Sequence, residues 1–327
     1  MWRKRIGLLH CGMATIDHGV TAGLMNIAKE VYVFADASEL ERFVAAYPLD
    51  LVLVLDRQEE ALLKAMLALR ERGIPTAVWF FDSPYRIDLD IQIAPHFEYV
   101  FTVDSSCPPV LQRHGCARSY YMPLAAGRNL FYPQAVSERY RSDILFIGTA
   151  YSVRLEIVDE MAPYLAGKKT AISGWGWDRL KQYGLLASSI RQDTLRIPSW
   201  LSPGETNAYY NGAAVCLNFH RSTEHEPLNA ARVPPLSINN RIFEMSACGA
   251  FVMTDWRSDL PRSYVPGKEI ETFSSTDELK EKLDYYLEHE EHRRRIALAG
   301  MQRTLRFHTY EVRLSELLQV VFEGRAE

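Results

Sequence analysis

Hydrophobic and polar positions along the chain switch repeatedly between two periods. Short, nearly unbroken apolar runs occur at RIGLL (Arg5–Leu9), VYVFA (Val31–Ala35), LVLVL (Leu51–Leu55), TAVWFF (Thr76–Phe81) and YVFTV (Tyr99–Val103). Runs of that length suit strands buried on both faces of a parallel sheet. Between them VTAGLMNIAKE (Val20–Glu30) and RQEEALLKAMLALRERG (Arg57–Gly73) carry helical spacing, the second closed by Gly73. The stretch HCGMATIDHG reads as a polar loop, and a helix near Pro109–His114 with a strand at Ser119–Met122 completes this half.

The pattern lapses over Leu124–Arg141, where Pro, Gly and charges follow no period, as in a domain linker. It then resumes with strands at Asp143–Gly148, Lys169–Gly174 and Ala214–Phe219, and helices at YSVRLEIVDEMAPYL, WGWDRLKQYG and ETNAYYNGA. After a long loop, HRSTEHEPLNAARVPPL, comes SINNRIFEMSACGAFVMTD (Ser237–Asp255). This predicts a helix capped by Ser237 and stopped at Gly249, then a buried strand. Ser275 and Glu278 form a capping box ahead of an amphipathic helix, and a helical tail follows. The fold class is α/β: two Rossmann-like domains, residues 1–125 and 143–307, joined by a linker over 126–142, with a cleft between them.

Composition narrows the function classes. The chain has 327 residues and a formal net charge of −4, which gives no electrostatic case for binding nucleic acid or a membrane surface. Five scattered cysteines lack metal-ligand spacing and suit reduced thiols in a cytoplasmic protein. No signal-peptide core follows the N-terminal MWRKRIGLLHCGM, and no run approaches the ~20 apolar residues of a transmembrane helix.

In such sheets ligands bind beyond the carboxyl ends of strands. Four loops of the second half qualify. Gly148 and Thr149 allow close backbone approach to a phosphate, and Arg154 adds charge at a helix start. Gly174 and Trp175, followed by Gly176 and Trp177, offer an aromatic to a base or sugar, or a core tryptophan. Asn218 and His220 suit a sugar or phosphate, or a structural role. Asn240, Arg241 and Glu244 share the first turns of the Ser237 helix. Arg241 would hold a phosphate at a helix end that favours anions while Glu244 accepts from a ribose hydroxyl; a surface Arg–Glu pair is the alternative. In the first half Asp82, directly after a strand, and His10, Asp17 and His18 are candidate general bases, although Asp17 and His18 could simply cap a helix.

The strings NNRIFEMSACGAFVMTD, VPGKEI, FSSTDELKEKLDYYLEHEEHRRRIALAG and HTYEVR, with WFFDSPY, YVFTVD, YYMPLAAGRNLFYP and DILFIG before them, resemble the CgeB-like (spore maturation protein) glycosyltransferases. The resemblance covers most of the chain. It implies the GT-B fold, with a C-terminal helix over 308–327 crossing back onto the first domain, which faces the acceptor. It implies a nucleotide-diphosphate sugar, UDP- or another, as donor substrate, with no cofactor and no bound metal. Glu244 then matches the carboxylate that binds the donor ribose, Arg241 a diphosphate contact, and Gly148 a loop near the phosphates. Many retaining enzymes of the fold place another Glu where this chain has Leu236. The triplet Asp88-Leu89-Asp90 matches the carboxylate motif of metal-dependent glycosyltransferases, but it falls in a polar stretch and reads as a solvated turn. The expected activity is hexosyl transfer to an unidentified acceptor: a glycan, a protein, a small molecule or a modified nucleic acid base. A nucleotide-sugar epimerase and a non-catalytic sugar-binding protein of a coat or surface assembly are the alternatives.

Overall fold

The computed structural model describes residues 1–195, 201–224 and 226–324. Position 225 of the long loop and the last three residues of the expected 308–327 segment lie outside the described residues. The chain forms two compact units, each around one parallel sheet. Unit 1 comprises Met1–Gly127, Thr223–Asn239 and Thr309–Glu327, and unit 2 comprises Arg128–Ser222 and Asn240–His308.

Unit 1 contains β1 (Trp2–Leu9), β2 (Ala28–Phe34), β3 (Leu51–Leu55), β4 (Thr76–Phe80), β5 (Tyr99–Thr102) and β6 (Ser119–Tyr121), in spatial order β2-β1-β3-β4-β5-β6. Strand periodicity explains why β3 and β4 are apolar throughout. Leu51, Leu53 and Leu55 point into one layer with α1 (Ala14–Ile27), while Val52 and Val54 point into the other with α2 (Ala37–Ala46) and α3 (Glu60–Glu71). The last helix, α13 (Tyr310–Glu323), packs in the α1 layer through Tyr310, Leu314, Leu317 and Leu318, all buried. At roughly 1.5–3 kcal/mol per fully buried leucine, these contacts fix α13 to unit 1, as the crossing back of a final helix requires.

Unit 2 contains β7 (Ser142–Ile147), β8 (Thr170–Ser173), β9 (Ala213–Asn218), β10 (Val252–Asp255) and β11 (Glu271–Phe273), in order β11-β10-β9-β7-β8. Its helices include α6 (Ser152–Ala166), α7 (Tyr183–Leu186), α8 (Pro203–Gly212) and α9 (Asn240–Ala247). After α10 (Leu260–Ser263) come α11 (Thr276–Glu288) and α12 (Glu290–Phe307). The Ser275 hydroxyl accepts from the Glu278 N–H at 3.2 Å, and the Glu278 carboxylate reaches back to the Ser274 N–H at 2.8 Å, which closes the start of α11.

Several local expectations change. The first helix starts at Ala14, inside the expected loop, and ends at Ile27; Ala28–Glu30 instead extend β2 alongside the start of β1. The Ser237 helix begins at Asn240, so Ser237 lies outside the capping position. WGWDRLKQYG is broken at Gly176, whose φ of +84° no continuous helix accepts, and only Tyr183–Leu186 is α-helical. Asp88 and Asp90 sit in α4 (Ile87–Ile93), and Asp90 is fully buried rather than in a solvated turn. Its carboxylate accepts from the Ser83 hydroxyl at 2.6 Å. Asp88 is fastened to the long loop: its N–H donates to the Leu228 carbonyl, and its Oδ2 accepts from the Ala230 N–H.

Candidate functional site

The strand order of unit 2 reverses between β7 and β9, and in doubly wound sheets the crevice at such a reversal is where ligands bind. The loops leaving β7 and β8 meet there. The Ala150 N–H donates to the Trp175 carbonyl at 2.9 Å, and Trp177 Nε1–H donates to the Gly148 carbonyl at 2.8 Å. Gly174, at φ +139°, lies so close to Gly148 that an added Cβ would stand 2.6 Å from the Gly148 carbonyl carbon. Both glycines therefore serve backbone packing at this edge.

Two guanidinium groups converge on the same point. A Cβ on Gly148 would collide with the Arg241 guanidinium and lie 3.2 Å from Arg154 Nη1. Arg241 projects from the first turn of α9 and donates to the Ile147 carbonyl, with its Cζ 5.7 Å from the Phe146 ring. Arg154 is buried; its Nε donates to the Phe219 carbonyl at 2.8 Å and its Nη1 to the Thr149 carbonyl at 2.9 Å. It thereby ties the end of β7 to the end of β9 and leaves its charge in place.

Glu244 stands one turn along α9 from Asn240, whose amide donates to it at 2.7 Å. Only 4% of Glu244 is exposed, so the alternative of a surface Arg–Glu pair does not apply. Burial pushes its carboxyl up to about 7, against the Asn240 hydrogen bond and the Arg241 charge. Burial likewise lowers Arg241, which Tyr210 and Glu244 oppose.

His220 and Asn218 sit at the end of β9. His220 Nδ1–H donates to Asp255 Oδ1 at 2.7 Å, and the His220 N–H donates to the same oxygen at 2.9 Å. Burial holds the imidazole below its usual range despite Asp255, and Arg257 and Arg241 push the same way. Burial raises Asp255, but the His220 charge and hydrogen bonds together with Arg257 bring it net below the usual carboxylate range. The Asn218 amide donates to Thr254 Oγ1 at 3.1 Å. Asp255, which holds His220, was missed in the sequence, where it reads as the ordinary end of a strand. The two candidate tryptophans divide: Trp177 is fully buried, while Trp175 is 38% exposed, with the Arg179 Cζ 5.5 Å from its ring.

Unit 2 thus brings Gly148, Thr149, Arg154, Gly174, Trp175, Asn218, His220, Asn240, Arg241 and Glu244 to the carboxyl edge of one sheet. The four candidate bases lie in unit 1. His10 pairs through Nε2 with the Thr21 hydroxyl at 2.7 Å. Asp17 is buried and accepts from the N–H groups of Cys11 at 2.9 Å and Gly12 at 2.8 Å, so it fastens the loop after β1. His18 is exposed on α1. Asp82 lies two residues past β4, and its charge raises the nearby Asp56. Leu236, in place of the expected Glu, belongs to unit 1; its N–H and that of Ser237 donate to Asp104 Oδ2 at 2.9 and 3.0 Å.

A glycosyl transferase-like family model matches residues 154–319, half of the chain, including α9 and its arginine. The chain belongs to the glycosyl transferase-like family. It is also similar to the spore protein CgeB of Bacillus subtilis (strain 168), 28% identical over 286 residues and 86% of each chain. Among solved structures, sucrose-phosphate synthase from Thermosynechococcus elongatus aligns with TM-score 0.67 at 12% identity, over 99% of this chain and 100% of that one. Anabaena Alr3699/HepE in complex with UDP-glucose aligns with TM-score 0.64 at 13% identity, over 98% and 100%. These likenesses establish the GT-B fold of two Rossmann-like units for this glycosyl transferase-like chain. No helix among the described residues is long and apolar enough to cross a membrane.

Proposed function

We propose that this protein transfers a hexosyl group from a nucleotide-diphosphate sugar to a hydroxyl-bearing acceptor, with unit 2 as the donor unit. The observation that carries the reading is the convergence of Arg241 and Arg154 on Gly148 at the strand-order reversal, with Glu244 one turn away on the same helix. As the bond from the sugar's anomeric carbon to the diphosphate breaks, negative charge grows on the departing oxygen. Fixed guanidinium groups and the N–H groups at the start of α9 stabilise that charge without reorganising, in place of a metal ion. Glu244 would accept from a ribose hydroxyl, and Trp175 offers a face to the base. The UDP-glucose complex of Alr3699/HepE, a chain of the same fold, supports this class of donor.

The test is the release of nucleoside diphosphate from UDP- and other nucleotide-sugars by wild type, Arg241→Ala and Glu244→Ala. Each substitution is expected to lower turnover by about 100-fold, the usual scale for losing one such contact, with the circular dichroism spectrum unchanged. Undiminished turnover in both would sink the site assignment. Tight donor binding by wild type with no turnover would replace the transferase reading with a binding protein.

A further inference from the structure

Unit 1 has its own strand-order reversal, between β1 and β3, and a cavity of about 770 Å³ opens over the carboxyl ends of β1, β2 and β3. The residues that line it include three acidic ones, Glu39, Glu59 and the largely covered Asp56, against one cation, Arg57, with His10 and Gln58 among the other polar groups. That cation is already engaged. Arg57 Nε donates to Glu59 at 2.9 Å and its Nη1 to the Ala35 carbonyl at 2.8 Å. The backbone N–H groups ahead of α1, which would otherwise draw an anion, are taken from within by the Asp17 carboxylate.

Beneath the wall the excess of negative charge continues. The Asp56 side chain is 3% exposed, and its Oδ1 lies 3.2 Å from Arg86 Nη2, close enough for an ion pair but without a hydrogen bond. Arg86 is shared with the fully buried Asp90, 3.4 Å from its Nε, and Asp82 adds its charge to that of Asp56. One guanidinium is therefore shared between two buried carboxyl groups, Asp56 and Asp90. Asp56 also holds a left-handed φ of 49°, a conformation that aspartate and asparagine adopt more readily than other side chains.

We propose that this cavity is selective by charge: it takes a neutral or cationic polyol, a sugar or an amino sugar, and rejects phosphorylated ones, with Asp56 as the group that sets the preference. Calling this ligand the acceptor rests on the transferase reading; the charge selection rests on unit 1 alone. A phosphate entering the cavity finds no unengaged cation among the described lining residues: Arg57 is held by Glu59, Glu39 adds a further carboxylate to the wall and Asp56 lies just beneath it, and at low ionic strength their repulsion is little screened.

The experiment is a ligand-observed NMR titration of the full chain at low salt with three probes of one skeleton: glucosamine, glucose and glucose 6-phosphate. UDP is titrated in parallel. The expected order is glucosamine, then glucose, then glucose 6-phosphate, with at least tenfold between the first and last. Asp56→Asn keeps a residue that tolerates the same φ and should narrow the glucosamine-to-glucose ratio several-fold while leaving UDP affinity unchanged. Glu59→Gln, on the exposed rim, should narrow it less and serves if the buried variant does not fold. Glucose 6-phosphate binding as well as glucosamine, binding by none of the three, or a ratio that neither variant alters would overturn the proposal. Loss of UDP binding alone, with the order kept, would count against the donor site and not against this cavity.

Discussion

Asp90 and Glu244 occupy surroundings that oppose their charge, and the direction of that opposition has a measurable result. Burial raises Asp90 to about 7, against its hydrogen bond to Ser83 and the charge of Arg86. In the unfolded chain the same carboxyl titrates near 4. Between those limits the folded protein holds more protons than the unfolded one, so stability falls as pH rises from about 4 to about 7 and levels off above. Asp56, raised to about 6 by burial, and Glu244 act in the same sense. Asp90→Asn should remove its share, at most about 4 kcal/mol, so the variant's melting temperature should drop less between pH 5 and pH 8 than that of wild type. Parallel slopes in the two proteins would refute the assignment. The spacing of Arg241 and Glu244 was legible in the sequence because three residues along a helix share a face. Their burial was not, because charged side chains carry no mark of being covered. Asp56, Asp104 and Asp255 escaped notice for the same reason: an aspartate after an apolar run looks like any turn.

At the scale of elements, helix docking in unit 1 depends on two glycines of α1. A Cβ on Gly23 would lie 2.8 Å from Leu314 Cδ1 and 2.9 Å from Tyr310 Cβ, and one on Gly19 would lie 2.6 Å from Tyr310 Cδ2. Gly23→Ala adds only a methyl group and favours the helix intrinsically, yet it should destabilise the protein by roughly 1–3 kcal/mol, the usual cost of overpacking. Urea denaturation would show it, and earlier cleavage after Gly127 or before Thr309 in limited proteolysis would place the loosening at α13. An unchanged midpoint would mean that α13 shifts without cost. The interior strands were readable because burial on both faces leaves no polar position to hide the signal. Helix α4 was not: seven residues with two aspartates give too little periodicity to tell a buried turn of helix from a solvated loop. Gly176 marks the break in the predicted helix after β8, but its left-handed backbone only becomes evident in three dimensions.

For the whole molecule, donor binding is open to direct measurement. A ligand that binds only the folded state at 100 times its dissociation constant stabilises by about 2.7 kcal/mol. In a thermal-shift panel of UDP, GDP, dTDP, ADP and CDP, one diphosphate should therefore stand out, and Arg241→Ala should erase its shift. A flat panel, checked by calorimetry, would remove the support for a donor site in unit 2. The two-sheet plan was apparent from the restart of the strand–helix alternation after Arg141. The return of Thr223–Asn239 to unit 1 was not, because it depends on partners far away in sequence: Asp104 binds the Leu236 and Ser237 N–H groups, Asp88 holds Ala230, and Val233 enters the layer beneath β3 and β4.

That stitching has a consequence for how the protein is made. Synthesis runs from the N-terminus, so the sheet of unit 1 leaves the ribosome early, without the Thr223–Asn239 segment and without α13. The face that will receive Tyr310, Leu314, Leu317 and Leu318 then stays bare while all of unit 2 is translated. During that interval the nascent chain presents an unshielded apolar layer, and chaperones that bind such surfaces have their longest opportunity to act.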